Sequence, residues 1–78
     1  MRQKKPTLVI TFATTTQAMA MEKFCLAQGL PGRLIPVPRE ITAGCGLSWK
    51  ADPAQKETLE AALNEHGMKW QEMYIIEI

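Results

Sequence analysis

The residues of this sequence that could do chemistry centre on one cysteine. Cys45 lies between Gly44 and Gly46, and it follows the proline-containing run 35–39. The two glycines remove the neighbouring side chains and permit unusual backbone angles, so the sulfur stays approachable. An accessible thiol suits the acceptance and release of a group such as a persulfide, its selenium counterpart or a mixed disulfide. The alternative is a glycine-rich turn with an incidental cysteine, because free cysteine is often buried.

Other kinds of site lack support in the sequence. Cys25, Cys45 and His66 have no zinc-ligand spacing, and no CxxC pair occurs, so we expect no metal site. The sequence has neither a glycine-rich phosphate loop nor a paired-carboxylate motif, so we expect no cofactor. Without a histidine beside Cys45 in the predicted fold, a Cys-His dyad is unsupported. A carrier is therefore favoured over a stand-alone enzyme.

Composition limits the chain to one small domain. It has 78 residues, 46% of them hydrophobic, and a formal net charge of +1. We expect a flexible tail over 1–6 and a single domain over 7–78. The charge balance favours neither nucleic acid nor an anionic membrane as a partner. No apolar run is long enough to cross a bilayer and no signal-peptide pattern follows 1–6, so we expect a cytoplasmic protein with reduced thiols.

Hydrophobic periodicity predicts six elements in the order strand, helix, strand, strand, helix, strand. The strands are predicted at 7–12, 33–38, 45–50 and 70–78; one helix begins at Thr14 or Thr15 and ends at Gly29, and the other runs from the Asp52 cap to Gly67. Two split βαβ halves of this kind fit an α+β ferredoxin-like sandwich, with a four-stranded antiparallel sheet and both helices on one face.

The apolar side chains predict which faces are buried. Leu8, Ile10 and Phe12 are expected to face the helices, and a buried stripe is expected on each helix. The stripes consist of Ala18, Met21, Phe24 and Cys25 on the first helix, with Met19 also assigned to packing, and of Leu59, Ala62, Leu63 and a partly buried His66 on the second. Cys25 is thus predicted to be structural. The last strand is apolar on both faces, which suits contact with a partner or a homodimer.

The predicted topology gives Cys45 its neighbours. The first and third strands of a ferredoxin-like sheet are antiparallel neighbours, so Cys45 is expected near the first helix's N-terminus, beside Thr14, Thr15 and Thr16. Unpaired amides and a partial positive charge at that terminus favour a thiolate, and the threonine hydroxyls could donate to the sulfur. Arg39 could add cationic support or hold an anionic partner. The alternatives are capping for the threonines and plain solvent exposure for Arg39.

Three segments carry a family resemblance. These are the run 12–22 (FATTTQAMAME), the run 35–41 (IPVPREI) and the pair Cys45-Gly46. They resemble the small bacterial proteins described as selenium/sulfur carrier-like, and the resemblance spans nearly the whole chain. It implies a cytosolic protein of this size whose cysteine, here Cys45, carries sulfur or selenium.

We therefore expect a carrier of a persulfide- or selenide-type group with Cys45 as its attachment point. A cysteine desulfurase-like donor would load it and an acceptor enzyme would unload it. The alternative is a non-catalytic protein-interaction module in which the cysteine is structural. RNA binding is less favoured, because no predicted strand face interleaves aromatic and basic residues.

Overall fold

The computed structural model describes residues 5–41 and 45–78. The elements are β1 (Pro6–Thr11), α1 (Thr15–Gln28), β2 (Arg33–Pro36), β3 (Leu47–Ala51), a 3-10 turn (Pro53–Gln55), α2 (Lys56–Glu65) and β4 (Glu72–Glu77). The strands form one sheet in the order β2-β3-β1-β4, and every pairing is antiparallel. The predicted ferredoxin-like order of elements is confirmed.

Both helices pack on the same face of the sheet. Leu8 and Ile10 of β1 and Trp49 of β3 belong to one buried cluster with residues of α1 and α2. The helical members of the cluster are Ala18, Met21, Cys25, Leu59 and Leu63. Burying a large apolar side chain contributes about 1.5 to 3 kcal/mol relative to exposure, so this single layer supplies most of the stabilisation of so short a chain.

All four strands differ in extent from the predicted ones: β2 ends at Pro36 rather than at residue 38, and β4 spans Glu72–Glu77 rather than 70–78. At β1 and β3 the difference has a cause in the backbone. Lys5 and Ile78 exchange backbone hydrogen bonds of 3.3 and 3.2 Å, and β1 begins at Pro6, so residues 5 and 6 of the predicted tail join the sheet. Residues 1–4 of that tail lie outside the described part of the chain. Strand β3 begins at Leu47 rather than at Cys45, because Gly46 has a φ of +81°, which ends the extended backbone.

The helix ends largely follow the capping residues. The Thr14 hydroxyl accepts from the Gln17 amide at 3.1 Å, whereas the Gln17 side chain accepts from the Ala13 amide rather than from that of Thr14. Gly29 ends α1 in the left-handed region, at a φ of +68°. Asp52 caps the 3-10 turn by accepting from the Ala54 amide at 2.8 Å, and α2 itself begins three residues after Pro53.

Two predicted core residues are exposed instead. Met19 is 52% exposed, because it lies about 100° around the helix from Ala18 and so falls off the buried stripe of α1. His66 is exposed because it is the C-cap of α2, beyond the last helical turn. Its ring lies 5.0 Å from that of Phe24, measured between centroids. The assignment of both side chains to the core was therefore wrong.

Strand β1 is buried on both faces. Leu8 and Ile10 face the helices with no exposed surface, and Val9 on the opposite face is also fully buried. Val9 is paired with Lys50 on one side and Tyr74 on the other, so it is flanked by a long side chain from each neighbouring strand. The prediction of one buried face was incomplete because it treated the strand without its two neighbours.

Trp49 is held by a close approach of the backbone. Its indole Nε1 donates to the Pro31 carbonyl at 3.1 Å, and the side chain is 2% exposed. Gly32 has a φ of +117°, and a Cβ at this position would overlap the Trp49 indole and the Lys50 carbonyl oxygen. Glycine is therefore required here for both its backbone angle and the space it leaves.

We expect Gly32→Ala to lower the free energy of unfolding by about 2 to 5 kcal/mol, through backbone strain together with displacement of the indole. Gly29→Ala is the matched control, because Gly29 also has a positive φ but no atom lies within 4 Å of a Cβ built there. The control should lose only about 1 kcal/mol. Urea unfolding followed by circular dichroism measures both values, and equal losses would contradict the role of the indole contact.

Candidate functional site

Cys45 lies at the end of the sheet where α1 begins. At this end of the sheet, the last residue pair between β1 and β3 is Thr11 with Ser48. Cys45 precedes Ser48 by three residues, and the N-cap Thr14 follows Thr11 by three. Both segments therefore leave the sheet at the same end, which is the relation that the predicted topology required.

The Cys45 sulfur interacts with the backbone of its own turn. The side chain is half-buried and packs against the core cluster. The Leu47 amide donates to Sγ at 3.4 Å, and Sγ in turn lies 3.6 Å from the Leu47 carbonyl oxygen. A protonated thiol can donate to that carbonyl, while an anionic sulfur can accept from that amide. The turn therefore offers a partner to either form of the sulfur.

Gly46 gives this turn its shape. No atom lies within 4 Å of a Cβ built on Gly46, so its φ of +81°, rather than a lack of space, favours glycine. Its carbonyl accepts from the Val37 amide at 3.0 Å, which continues the pairing of β2 with β3 beyond Pro36. The residue after the thiol is thus fixed to the edge strand. Gly44 lies outside the described residues.

The three threonines are exposed at the start of α1. The Thr14 hydroxyl caps the helix, and its hydrogen remains available as a donor. The amides of Thr15 and Thr16 belong to the first helical turn, where amides have no acceptor within the helix. Within 5–41 and 45–78, the hydrogen bonds of the Cys45 sulfur are with Leu47 and not with these threonines. Contact between the threonines and a group on the sulfur stays a prediction.

Arg39 is exposed in a tight turn before the thiol. The Ile41 amide donates to the Pro38 carbonyl at 3.0 Å, and this bond closes the turn that contains Arg39 and Glu40. Ile41 is 7% exposed and anchors the end of the turn. The guanidinium is thus carried on an ordered turn rather than on a free chain end, although its predicted support of the site stays a prediction.

Cys25 has a different environment. It has no exposed surface, and its thiol donates to the Met21 sulfur at 3.9 Å within the core. Burial disfavours the charged form and raises the pKa of the Cys25 thiol from 9.0 to about 11. Its prediction as a structural residue is confirmed by its position in the core.

Neither of the two surface depressions identified among the described residues is lined by Cys45. The larger, of about 880 Å³, lies at the opposite end of β3, where its lining includes Arg33, Lys50 and Asp52. The smaller, of about 210 Å³, lies between Thr16 of α1 and Met68.

Within the described ranges no three His, Cys, Asp or Glu side chains are grouped to hold a metal ion. In the same part of the chain, no helix has the length and apolar character needed to cross a membrane.

A comparison with protein families gives one match that covers most of the chain. The model of the family described as "putative Se/S carrier protein-like" matches residues 7–75. The chain belongs to this family. The match includes Cys45, Arg39 and the start of α1, so the family resemblance seen in the sequence is confirmed. Neither the curated proteins nor the solved structures contain a protein that matches this chain.

Sequence reasoning missed the Leu47 amide as a partner of the sulfur. Its position two residues after Cys45 is that of the donor in a side-chain turn, in which a side-chain acceptor bonds the amide two residues on. The sequence feature that could have indicated this bond is Gly46, because a glycine after the cysteine permits the positive φ with which the backbone turns. The bond from the Val37 amide to the Gly46 carbonyl, which also holds this turn, joins residues nine positions apart and is not indicated by any local pattern.

We expect an alkylating reagent to modify Cys45 of the native chain at least about a hundredfold faster than Cys25, since the thiolate is the reactive form and Cys25 is buried with a raised pKa. Intact-mass spectrometry with peptide mapping follows both sites over time. In urea the two rates should converge, which serves as the control. Similar rates in the native chain would contradict the assignment of Cys45 as the accessible thiol.

The Cys25 pKa also predicts a pH-dependent stability. Above about pH 9 the unfolded chain loses the thiol proton, while the folded chain keeps it to about pH 11. The folded state then binds more protons, so the free energy of unfolding should fall as pH rises through this window, by on the order of 2 to 3 kcal/mol. Urea unfolding at several pH values measures it. In Cys25→Ala, the free energy of unfolding should not show this part of the decline. Parallel curves of the free energy of unfolding against pH for the wild type and the variant would contradict the prediction.

Proposed function

We propose that Cys45 carries a sulfur or selenium atom, bound as a persulfide- or selenide-type group, between two partner enzymes. The observation that supports this most is the contrast between the two thiols in a chain of the Se/S carrier-like family. Cys45 is accessible at the sheet end where α1 begins, whereas Cys25 is fully buried. Transfer of a terminal sulfur requires a thiolate and access, and it requires no general base.

The transfer balances without an external oxidant or reductant. The Cys45 thiolate attacks the terminal sulfur of a persulfide on a cysteine desulfurase-like donor. The new bond joins the Cys45 sulfur to that atom, and the bond to the donor cysteine breaks. The donor cysteine leaves as a thiolate, so it is reduced while Cys45 is oxidised to the persulfide. In unloading, a thiolate of the acceptor enzyme attacks the terminal sulfur of the Cys45 persulfide, and Cys45 leaves as a thiolate. A terminal selenium atom is transferred by the same steps.

The neighbouring residues take supporting roles in this proposal. The Leu47 amide, 3.4 Å from Sγ, is the donor to the anionic sulfur. The exposed start of α1, with the amides of Thr15 and Thr16 and the hydroxyl of Thr14, faces the terminal atom of the carried group. Gly46 leaves room for the partner's cysteine, and the same role for Gly44, which lies outside the described residues, is a prediction from the sequence. Arg39 binds an acidic surface of the partner.

We expect incubation with a cysteine desulfurase and L-cysteine to add the mass of one sulfur atom to the chain. The adduct should form on the wild type and on Cys25→Ala, and be absent from Cys45→Ala. Intact-mass spectrometry under non-reducing conditions measures it, and a second incubation with an acceptor thiol should remove it. Equal modification of Cys25, or no adduct on the wild type, would count against the carrier.

The role of Arg39 has a matched control in the same experiment. Arg39→Gln and Arg33→Gln change the charge equally, but Arg33 is the first residue of β2 and pairs with Lys50, at the end of β3 opposite to Cys45. Only Arg39→Gln should slow loading, by several-fold. Equal rates for the two variants would show that Arg39 has no part in partner binding.

The alternative function is a protein-interaction module with a structural cysteine. One observation favours it: the Cys45 side chain packs against the core cluster, as a small hydrophobe would. In that case Cys45→Ala would bind the partner as the wild type does, and no sulfur adduct would form.

A further inference from the structure

The two outer strands of the sheet differ in how their free edges are protected. Val37 donates to Gly46, and these residues continue the register of β2 with β3, so Val37 directs its amide toward β3. Alternate residues of an antiparallel strand point their backbone groups to opposite sides. Pro36 and Pro38 therefore occupy positions whose amides would face the free edge. Proline has no amide hydrogen, so the edge at β2 is blocked to a further strand.

Among residues 5–41 and 45–78, the edge at β4 has no such protection. Ile78, just after β4, exchanges both backbone hydrogen bonds with Lys5. By alternation, Tyr74 and Ile76 of β4 also direct their backbone groups toward β1. The alternate residues, Met73, Ile75 and Glu77, then direct their amides and carbonyls away from the sheet. No proline interrupts the strand. These backbone groups are available to another strand.

The side chains of β4 are apolar on both faces of this edge. Ile75 is 52% exposed on the helix side, while Tyr74 and Ile76 are half-buried on the opposite face. An edge strand in a monomer usually carries charged side chains or proline, which discourage pairing. Here the charged residues of β4 stand only at its ends, at Glu72 and Glu77. The middle of the strand is thus suited to burial.

We propose that a second copy of this chain pairs with the first through β4, antiparallel, with Ile75 on the two-fold axis. Ile75 is the residue of β4 that combines an exposed large apolar side chain, at 52% exposure, with backbone groups that point away from β1. A two-fold axis perpendicular to the sheet keeps the faces of the two copies aligned, so paired residues must point to the same side.

In this register, the side chains that are paired across the interface are compatible with each other. Ile75 meets its own copy on the helix face, and Tyr74 meets Ile76 on the opposite face. Glu77 lies opposite Met73, so no two like charges are paired directly. The outward backbone groups of Met73, Ile75 and Glu77 all find partners within β4 of the other copy. A shift of the axis to Tyr74 would set Glu77 opposite Gln71, outside the strand, and leave its amide without a ladder partner.

The dimer would leave the thiols open. Strand β1 separates β3 from β4, so Cys45, just before β3, is not on the proposed interface. The sheets of the two copies would join into one, and each Cys45 could still be reached by a donor or acceptor. The proposal does not depend on the carrier function.

Sedimentation and light scattering across a range of protein concentrations test the proposal. The wild type should pass from monomer to dimer, whereas Ile75→Lys should stay monomeric. Leu26→Lys is the matched control, because Leu26 is 77% exposed on α1, away from the proposed interface, and it should dimerise like the wild type. A wild type that is monomeric throughout, or equal loss of dimer in both variants, would overturn the proposal.

Amide hydrogen exchange on the wild type provides a test that does not depend on a variant. The amides of Met73, Ile75 and Glu77 should exchange fast in dilute protein and at least about tenfold slower in concentrated protein. Tyr74 and Ile76 are the internal controls, since their amides face β1 at every concentration. Fast exchange at Ile75 in concentrated protein would overturn the dimer. Slow exchange at Met73 and Ile75 with fast exchange at Glu77 would overturn the register centred on Ile75.

Discussion

The antiparallel pairing of β1 with β3 is the constraint on which the rest of the structure depends. It places β1 at the interior of the sheet, where Val9 is buried on one face and Ile10 on the other. It also brings the residues before β3 to the end of the sheet from which α1 starts. Because both the core and the position of Cys45 follow from this one register, a shift of one residue would turn the core side chains outward and move the thiol away from α1.

Burial separates the two cysteines into a packing residue and a candidate site. Cys25 lies on the stripe of α1 that packs on the sheet, so its sulfur meets Met21 and its pKa is raised. Cys45 lies in a turn beyond a strand end, where one side of the residue contacts the core and the other is open. The same chemical group thus has two environments, which differ in the solvent that reaches it.

The two free edges of the sheet also differ from each other, and the cause is whether backbone amides point outward from the edge. Prolines at alternate positions block the β2 edge without loss of a hydrogen bond to β3, because their missing amides would have pointed outward. The β2 edge is also the edge next to the thiol turn, since Val37 donates to Gly46. The β4 edge is distant from the thiol and retains its outward amides, so an added copy there leaves the site open.

Local patterns in the sequence determined the type and order of the elements, limited the first cap to Thr14 or Thr15 and gave the stop at Gly29, since each depends on residues a few positions apart. They also singled out Cys45, through its two glycines and its family resemblance. Tertiary structure decided what depends on distant residues. Gly32 must be glycine because Trp49 lies against it, Val9 is buried because two strands flank it, and Gly46 is held to the edge strand by its bond to Val37. These contacts join residues between nine and sixty-five positions apart, so no local window of the sequence contains both partners.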